Sequence, residues 1–110
     1  MKTSIALRGG GILEAAQLTV RPGQTDQFES AFLKAQRIIA SMPGYLSHEL
    51  GRCVERPNDY LLLVRWTSLE AHETGFRRSP QYQKWKQLLH HFYDPFPLVS
   101  HYAPVGPVQN

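Results

Sequence analysis

The chain has 110 residues, 42% of them hydrophobic and 19% charged, which suffices for one domain with a modest core and excludes a disordered chain. Its formal charge of +3 is scattered rather than clustered and leaves no basic face for nucleic acid, while its single cysteine, Cys53, excludes an internal disulfide and a multi-cysteine metal site. The opening MKTSIALRGGG has too short an apolar run for a secretory leader, and no span approaches the roughly 20 apolar residues of a membrane helix, so a cytoplasmic location is expected by default.

Residues 1–10 read as a flexible N-terminal arm ending in Gly9-Gly10-Gly11. The stretch 12–20 reads as a first strand. Ile12, Ala16, Leu18 and Val20 share one face, with Glu14 intruding, and Leu13, Ala15, Gln17 and Thr19 share the other. Arg21-Pro22-Gly23 is a turn. A helix is predicted from Thr25, as its N-cap, to about Ser41, with an apolar stripe through Phe28, Ala31, Phe32, Ala35, Ile38, Ile39 and Met42. Met42-Pro43-Gly44 ends it, because proline cannot continue a helix. A second strand runs from Tyr45 to Glu55, with Gly51 as its expected bulge. The turn Arg56-Pro57-Asn58-Asp59 makes a hairpin with the strand Tyr60–Trp66, whose three leucines and valine suit a buried position.

Thr67 and Glu70 have the spacing of a capping box and predict a short helix over 68–74 that stops at Gly75. Ser79-Pro80 starts another helix, on which Tyr82, Trp85, Leu89 and Phe92 form one apolar stripe beside Leu88. An aromatic connector over 93–97 leads to a last strand over 98–105, ended by Pro104, and residues 106–110 are a tail.

The order β-α-β-β-α-β predicts an α+β, ferredoxin-like domain over residues 11–105, with a four-stranded antiparallel sheet and the helices on one face. The other face alternates Leu13, Ala15, Leu61, Leu63 and Val99 with polar residues, which predicts a partner surface and a homodimer formed sheet against sheet. Arg65 would point to that side and needs a carboxylate partner, Glu14 or Glu49.

The turn in LTVRPGQ, the helix ended by MPGY and the run YLLLVRWTSLEAHETGFRRSPQYQKW resemble the antibiotic biosynthesis monooxygenase family over about residues 12–105. The resemblance implies a dimeric α+β barrel and O₂ chemistry without metal, flavin or other cofactor. In that chemistry a base deprotonates a hydrophobic phenol, quinol or polyketide-like substrate, and the electron-rich anion reacts with O₂. Relatives that degrade haem use residues whose counterparts here fall near Ala16, Gly75 and Lys86, none of which suits that role. A non-catalytic small-molecule-binding or structural dimer of the same fold is the alternative, because no nucleophile triad or metal motif is present.

Within that frame His72 and His48 are the candidate catalytic bases, since an imidazole with an ordinary pKa of ~6.5 suits proton transfer near pH 7. Trp66, Phe76, Tyr82, Trp85 and His101 are the candidate substrate contacts. Each has a plainer reading beside it: the aromatics as helix–sheet core, and the histidines as hydrogen-bonded structural groups. His90 and His91 are adjacent on a helix and diverge by about 100°, which does not make a metal pair, and no metal site is expected.

Overall fold

The computed structural model describes residues 11–106. The expected arm over 1–10 and the end of the expected tail, 107–110, lie outside the described residues. The elements are β1 (Ile12–Thr19), α1 (Thr25–Ala40), β2 (Tyr45–Arg52), β3 (Asp59–Trp66), a π-helical turn (Ala71–Phe76), α2 (Pro80–Leu89), a short 3₁₀ turn (His90–Phe92) and β4 (Leu98–Tyr102). The four strands form one antiparallel sheet in the order β2-β3-β1-β4. This is the α+β, ferredoxin-like arrangement that the element order predicts.

Cross-strand register sorts the side chains into rows. On the helix side, Tyr45, Trp66 and Ile12 form the first row and His48, Val64, Glu14 and His101 the second. Leu50, Leu62, Ala16 and Val99 form the third. The helices cover these rows. Phe28, Phe32, Ala35 and Ile39 of α1 and Trp85 and Leu89 of α2 are buried against Leu18, Tyr60, Leu62, Val64 and Trp66. The open side carries Ser47, Arg65, Leu13 and Tyr102, then Glu49, Leu63, Ala15 and Ser100, then Gly51, Leu61, Gln17 and Leu98.

Several local expectations change. Val99 belongs to the helix side, because it pairs with Ala16 and packs against the core. The open face instead takes Leu98 and Tyr102 from β4. The bulge in β2 lies between Tyr45 and Ser47, not at Gly51. It turns Leu46 out to solvent and lets Tyr45 and His48, three residues apart, share a face. β2 ends at Arg52 and β4 at Tyr102, both short of the predicted limits. Thr25 is the first residue of α1 rather than its cap, and the cap position, Gln24, makes no side-chain capping bond.

The crossover after β3 also differs. Ser68, not Thr67, supplies the cap: its Oγ accepts from the Ala71 N–H at 3.1 Å. The helix does not stop at Gly75. It widens into the π-helical turn, closed by the Arg77 N–H on the His72 carbonyl at 3.0 Å. Ser79-Pro80 starts α2 as predicted, with Ser79 Oγ accepting from the Tyr82 N–H at 3.2 Å. Arg65 lies on the open side and takes Glu49, not Glu14, as its partner, at 3.3 Å.

Gly44 fixes where this crossover sits. Its φ is +84°, and a Cβ there would lie 2.5 Å from Ala71 Cβ and 2.9 Å from Thr67 Oγ1. Gly23 has φ +80° but no atoms within 4 Å of a built Cβ. Gly23→Ala therefore isolates the backbone penalty, about 1–2 kcal/mol. Gly44→Ala adds overpacking and is expected to cost about 2–5 kcal/mol. Urea denaturation of the two variants checks this, and equal losses would remove the close-packing argument.

Candidate functional site

A carboxylate inside an apolar core draws the site together. β1 presents Glu14 on its helix side, where it is 6% exposed. The Trp66 Nε1–H donates to Glu14 Oε1 at 2.9 Å, and His72 Nε2 lies 3.3 Å from the same oxygen. Burial raises the Glu14 pKa above its ordinary 4.5, and the Trp66 hydrogen bond and the charge of Arg77 hold it back only in part.

His72 comes from the π-helical turn and is 2% exposed. Its ring stacks on Trp66, with centroids 5.3 Å apart and planes at 21°. Its Nδ1 lies 2.7 Å from Nε2 of His101, which β4 places directly across from Glu14. Glu14, His72 and His101 therefore form one chain, from the core to a half-buried position on an edge strand. Burial first, then Arg77 and His101, pull the His72 pKa down to about 3. The neutral imidazole is its resting form, and the ordinary ~6.5 on which its candidacy as a base rested does not hold in the fold. His101 is also lowered, chiefly by burial.

Beside this chain is a cavity of about 110 Å³. Ala16, Leu18, Leu62 and Ile39 give it an apolar floor, and Phe76, Tyr82 and Trp85 line it from the helical side. Glu14, His72, Arg77 and His90 supply its polar groups, and Tyr93, Phe96, Pro97 and Val99 complete the lining. Phe76 and Trp85 are at once core and cavity wall: they are buried, with centroids 5.6 Å apart. Among the described residues no group of three or more histidine, cysteine or acidic side chains could hold a metal ion. Nor is any helix there long and apolar enough to cross a membrane.

The structure thus brings His72, His101 and Trp66 into one cluster and sets Phe76, Tyr82 and Trp85 on the adjoining cavity. Trp66 is fully buried and is not part of the cavity lining, so it holds Glu14 and His72 rather than presenting a surface to a ligand. His48 stands apart. It shares a row with Glu14, with Val64 between them, but its ring turns to Tyr45 Oη at 2.6 Å and Gln36 Oε1 at 2.9 Å. It lines a separate open groove between α1 and β2. Sequence reasoning missed Glu14 as a site residue. The available signal was an ionisable residue on the apolar face of a core strand, where an unpaired carboxylate is costly.

Several solved proteins share this arrangement of chain, and one curated relative is similar in sequence. A family model described as antibiotic biosynthesis monooxygenase matches residues 11–88. The chain is 50% identical over 94 residues to the uncharacterised protein YczJ of Bacillus subtilis (strain 168), covering 86% of this chain and 99% of that one. A Bordetella bronchiseptica protein named as a candidate antibiotic biosynthesis monooxygenase superposes with a TM-score of 0.83 at 31% identity, over 87% of this chain and 98% of that one. SnoaB, a cofactor-independent oxygenase of Streptomyces nogalater, superposes with a TM-score of 0.71 at 21% identity, over 92% and 97%. At that identity it shares the fold alone.

The depressed His72 pKa sets a sign for pH dependence. Its folded value of about 3 lies below the ordinary 6.5, so the unfolded chain takes the proton first as pH falls and stability is lost between those values. His48, His90 and His101 are lowered too and act in the same direction. Glu14 is raised and acts oppositely: its burial costs stability at neutral pH, and protonation relieves that cost. His72→Asn is expected to flatten the acid-side loss by up to about 1.4 kcal/mol per pH unit. Urea midpoints of native and variant protein, taken from neutral pH down through the carboxylate range, test this; parallel curves would contradict it.

Proposed function

Because the chain belongs to the antibiotic biosynthesis monooxygenase family, we propose that it oxidises a small hydrophobic phenol or quinol with O₂, without a cofactor, in the cavity beside Glu14. The observation that carries this reading is the Glu14–His72–His101 chain ending on an apolar cavity. A buried carboxyl with a raised pKa holds a proton more strongly than an ordinary carboxylate. His72 is too weak a base to store the proton, so Glu14 takes the role of acceptor.

In the proposed reaction Glu14 accepts the phenolic proton. It passes the proton to His72 Nε2 while the Nδ1 proton of His72 moves to Nε2 of His101. His72 changes tautomer and never rests as an imidazolium. The phenolate gives one electron to O₂, and the phenoxyl radical and superoxide combine at a ring carbon that bears hydrogen. His101 returns the proton along the same chain to the resulting peroxide, which then loses water across its O–O and C–H bonds, leaving a quinone and the chain in its starting state. One atom of O₂ enters the product and the other leaves as water. Trp66 and the stacked His72 ring position the carboxylate, and the apolar floor keeps water from the radical pair.

We assign the activity to a unit spanning residues 11–105 acting as a homodimer. The open sheet face supports the second part: Leu61, Leu98 and Tyr102 are exposed on it, and the Arg65 side chain is only 11% exposed with its Nε lacking a partner. Light scattering at micromolar protein is expected to give twice the chain mass, and a monomer would remove this assignment.

O₂ uptake with hydroquinone and simple phenols, metals chelated, tests the chemistry. Glu14→Gln and His72→Asn are expected to lose ~10²–10⁴-fold in kcat, and His48→Ala to stay near native. Turnover surviving in Glu14→Gln would remove the carboxylate from the role. The small cavity also suits a non-catalytic binding dimer, and ligand binding with no O₂ uptake by the native protein would favour that reading.

A further inference from the structure

The proton chain leaves one charged group of the cavity unused. Arg77 follows the π-helical turn and is held by its own backbone N–H on the His72 carbonyl. Its Nε is buried and has no hydrogen-bond partner. Among the described residues no carboxylate pairs with its guanidinium, although its charge reaches Glu14, His72, Tyr82, His90 and His101 around the cavity. A buried donor without an acceptor is costly, and more so when it is charged. A planar anion arriving in the cavity would supply the missing acceptor, and a guanidinium fork matches a carboxylate best.

The volume limits what carries that anion. A cavity of about 110 Å³ is below the roughly 150 Å³ that encloses one benzene ring, so even a single ring must extend through its mouth, and a fused ring system would leave still more of its surface outside. Arg77 as a residue is half-buried although its Nε is enclosed, so the side chain reaches from the cavity towards the surface, where a substituent can lie.

We propose that the cavity selects a single aromatic ring carrying a hydroxyl and a carboxylate, with the carboxylate on Arg77 and the hydroxyl towards Glu14. The hydroxyl's role rests on the oxygenase reading, while recognition of the carboxylate does not. A hydroxybenzoate is the simplest member of this class.

Anaerobic calorimetric titration separates the two. The probes are 4-hydroxybenzoate, its neutral isostere 4-hydroxybenzamide, and the two-ring 6-hydroxy-2-naphthoate. The benzoate is expected to bind at least about tenfold more tightly than the amide, the worth of one charge-assisted contact, and more tightly than the naphthoate. Arg77→Gln should erase the preference for the acid while leaving amide binding unchanged, which also reports that the variant is folded. Arg77→Lys should keep part of it. Equal affinity for acid and amide, a preference that survives Arg77→Gln, tighter binding of the naphthoate, or no binding of the benzoate at millimolar concentration would each overturn the proposal. Benzoate binding without later O₂ uptake would sink the oxygenase reading and leave this one standing. O₂ uptake that is equal for acid and amide would do the reverse.

Discussion

The arrangement depends on one interaction, the hydrogen bond from the Trp66 indole to the Glu14 carboxyl. A carboxylate on the core face of a central strand is costly unless a donor meets it. Trp66, at the end of the neighbouring strand, brings that donor with a large apolar body, so one side chain fills the core and satisfies the acid. The price is a Glu14 pKa raised by burial. His72 stacks on the same indole and reaches the same oxygen, so both partners of Glu14 are fixed by a single aromatic wall.

The π-helical turn is the second constraint. Its wider ring, closed from Arg77 to His72, sends Phe76 into the core and keeps Arg77 on the cavity side. Gly44 makes room for the start of this segment, and Ser79-Pro80 ends it by beginning a new helix with its own cap. The crossover is therefore pinned at both ends while its middle, which carries His72 and Phe76, departs from regular geometry.

The helix-side aromatics serve two ends at once. Phe76 and Trp85 are buried as core residues, with an edge-to-face contact between them, yet they also bound a cavity. The readings of these residues as core and as ligand wall are therefore not exclusive. What separates them from Trp66 is position: Trp66 lies behind Glu14 and His72, whereas Phe76 and Trp85 stand beside them.

Local chemistry in the sequence determined the element order, the open and covered faces of β1 and β3, and the Ser79-Pro80 helix start. Period-2 and period-3.6 patterns and helix caps act over a few residues and can be read there. Features set by pairing across the sheet were decided only in three dimensions. Val99 changes face because its register with Ala16 fixes it, and a slip of one residue inverts every side chain of a strand. The bulge at Leu46 rather than Gly51 follows from pairing with β3, which brings Tyr45 to the helix side, where its hydroxyl meets His48. Thr67 and Ser68 offer nearly the same capping chemistry, and only the path of the chain chose Ser68. His72 was legible as a candidate, but its depressed pKa was not, because burial and the charge of Arg77 are tertiary facts. Glu14 and His101 are 87 residues apart in sequence and adjacent across β1 and β4. No spacing rule joins them; the sheet does.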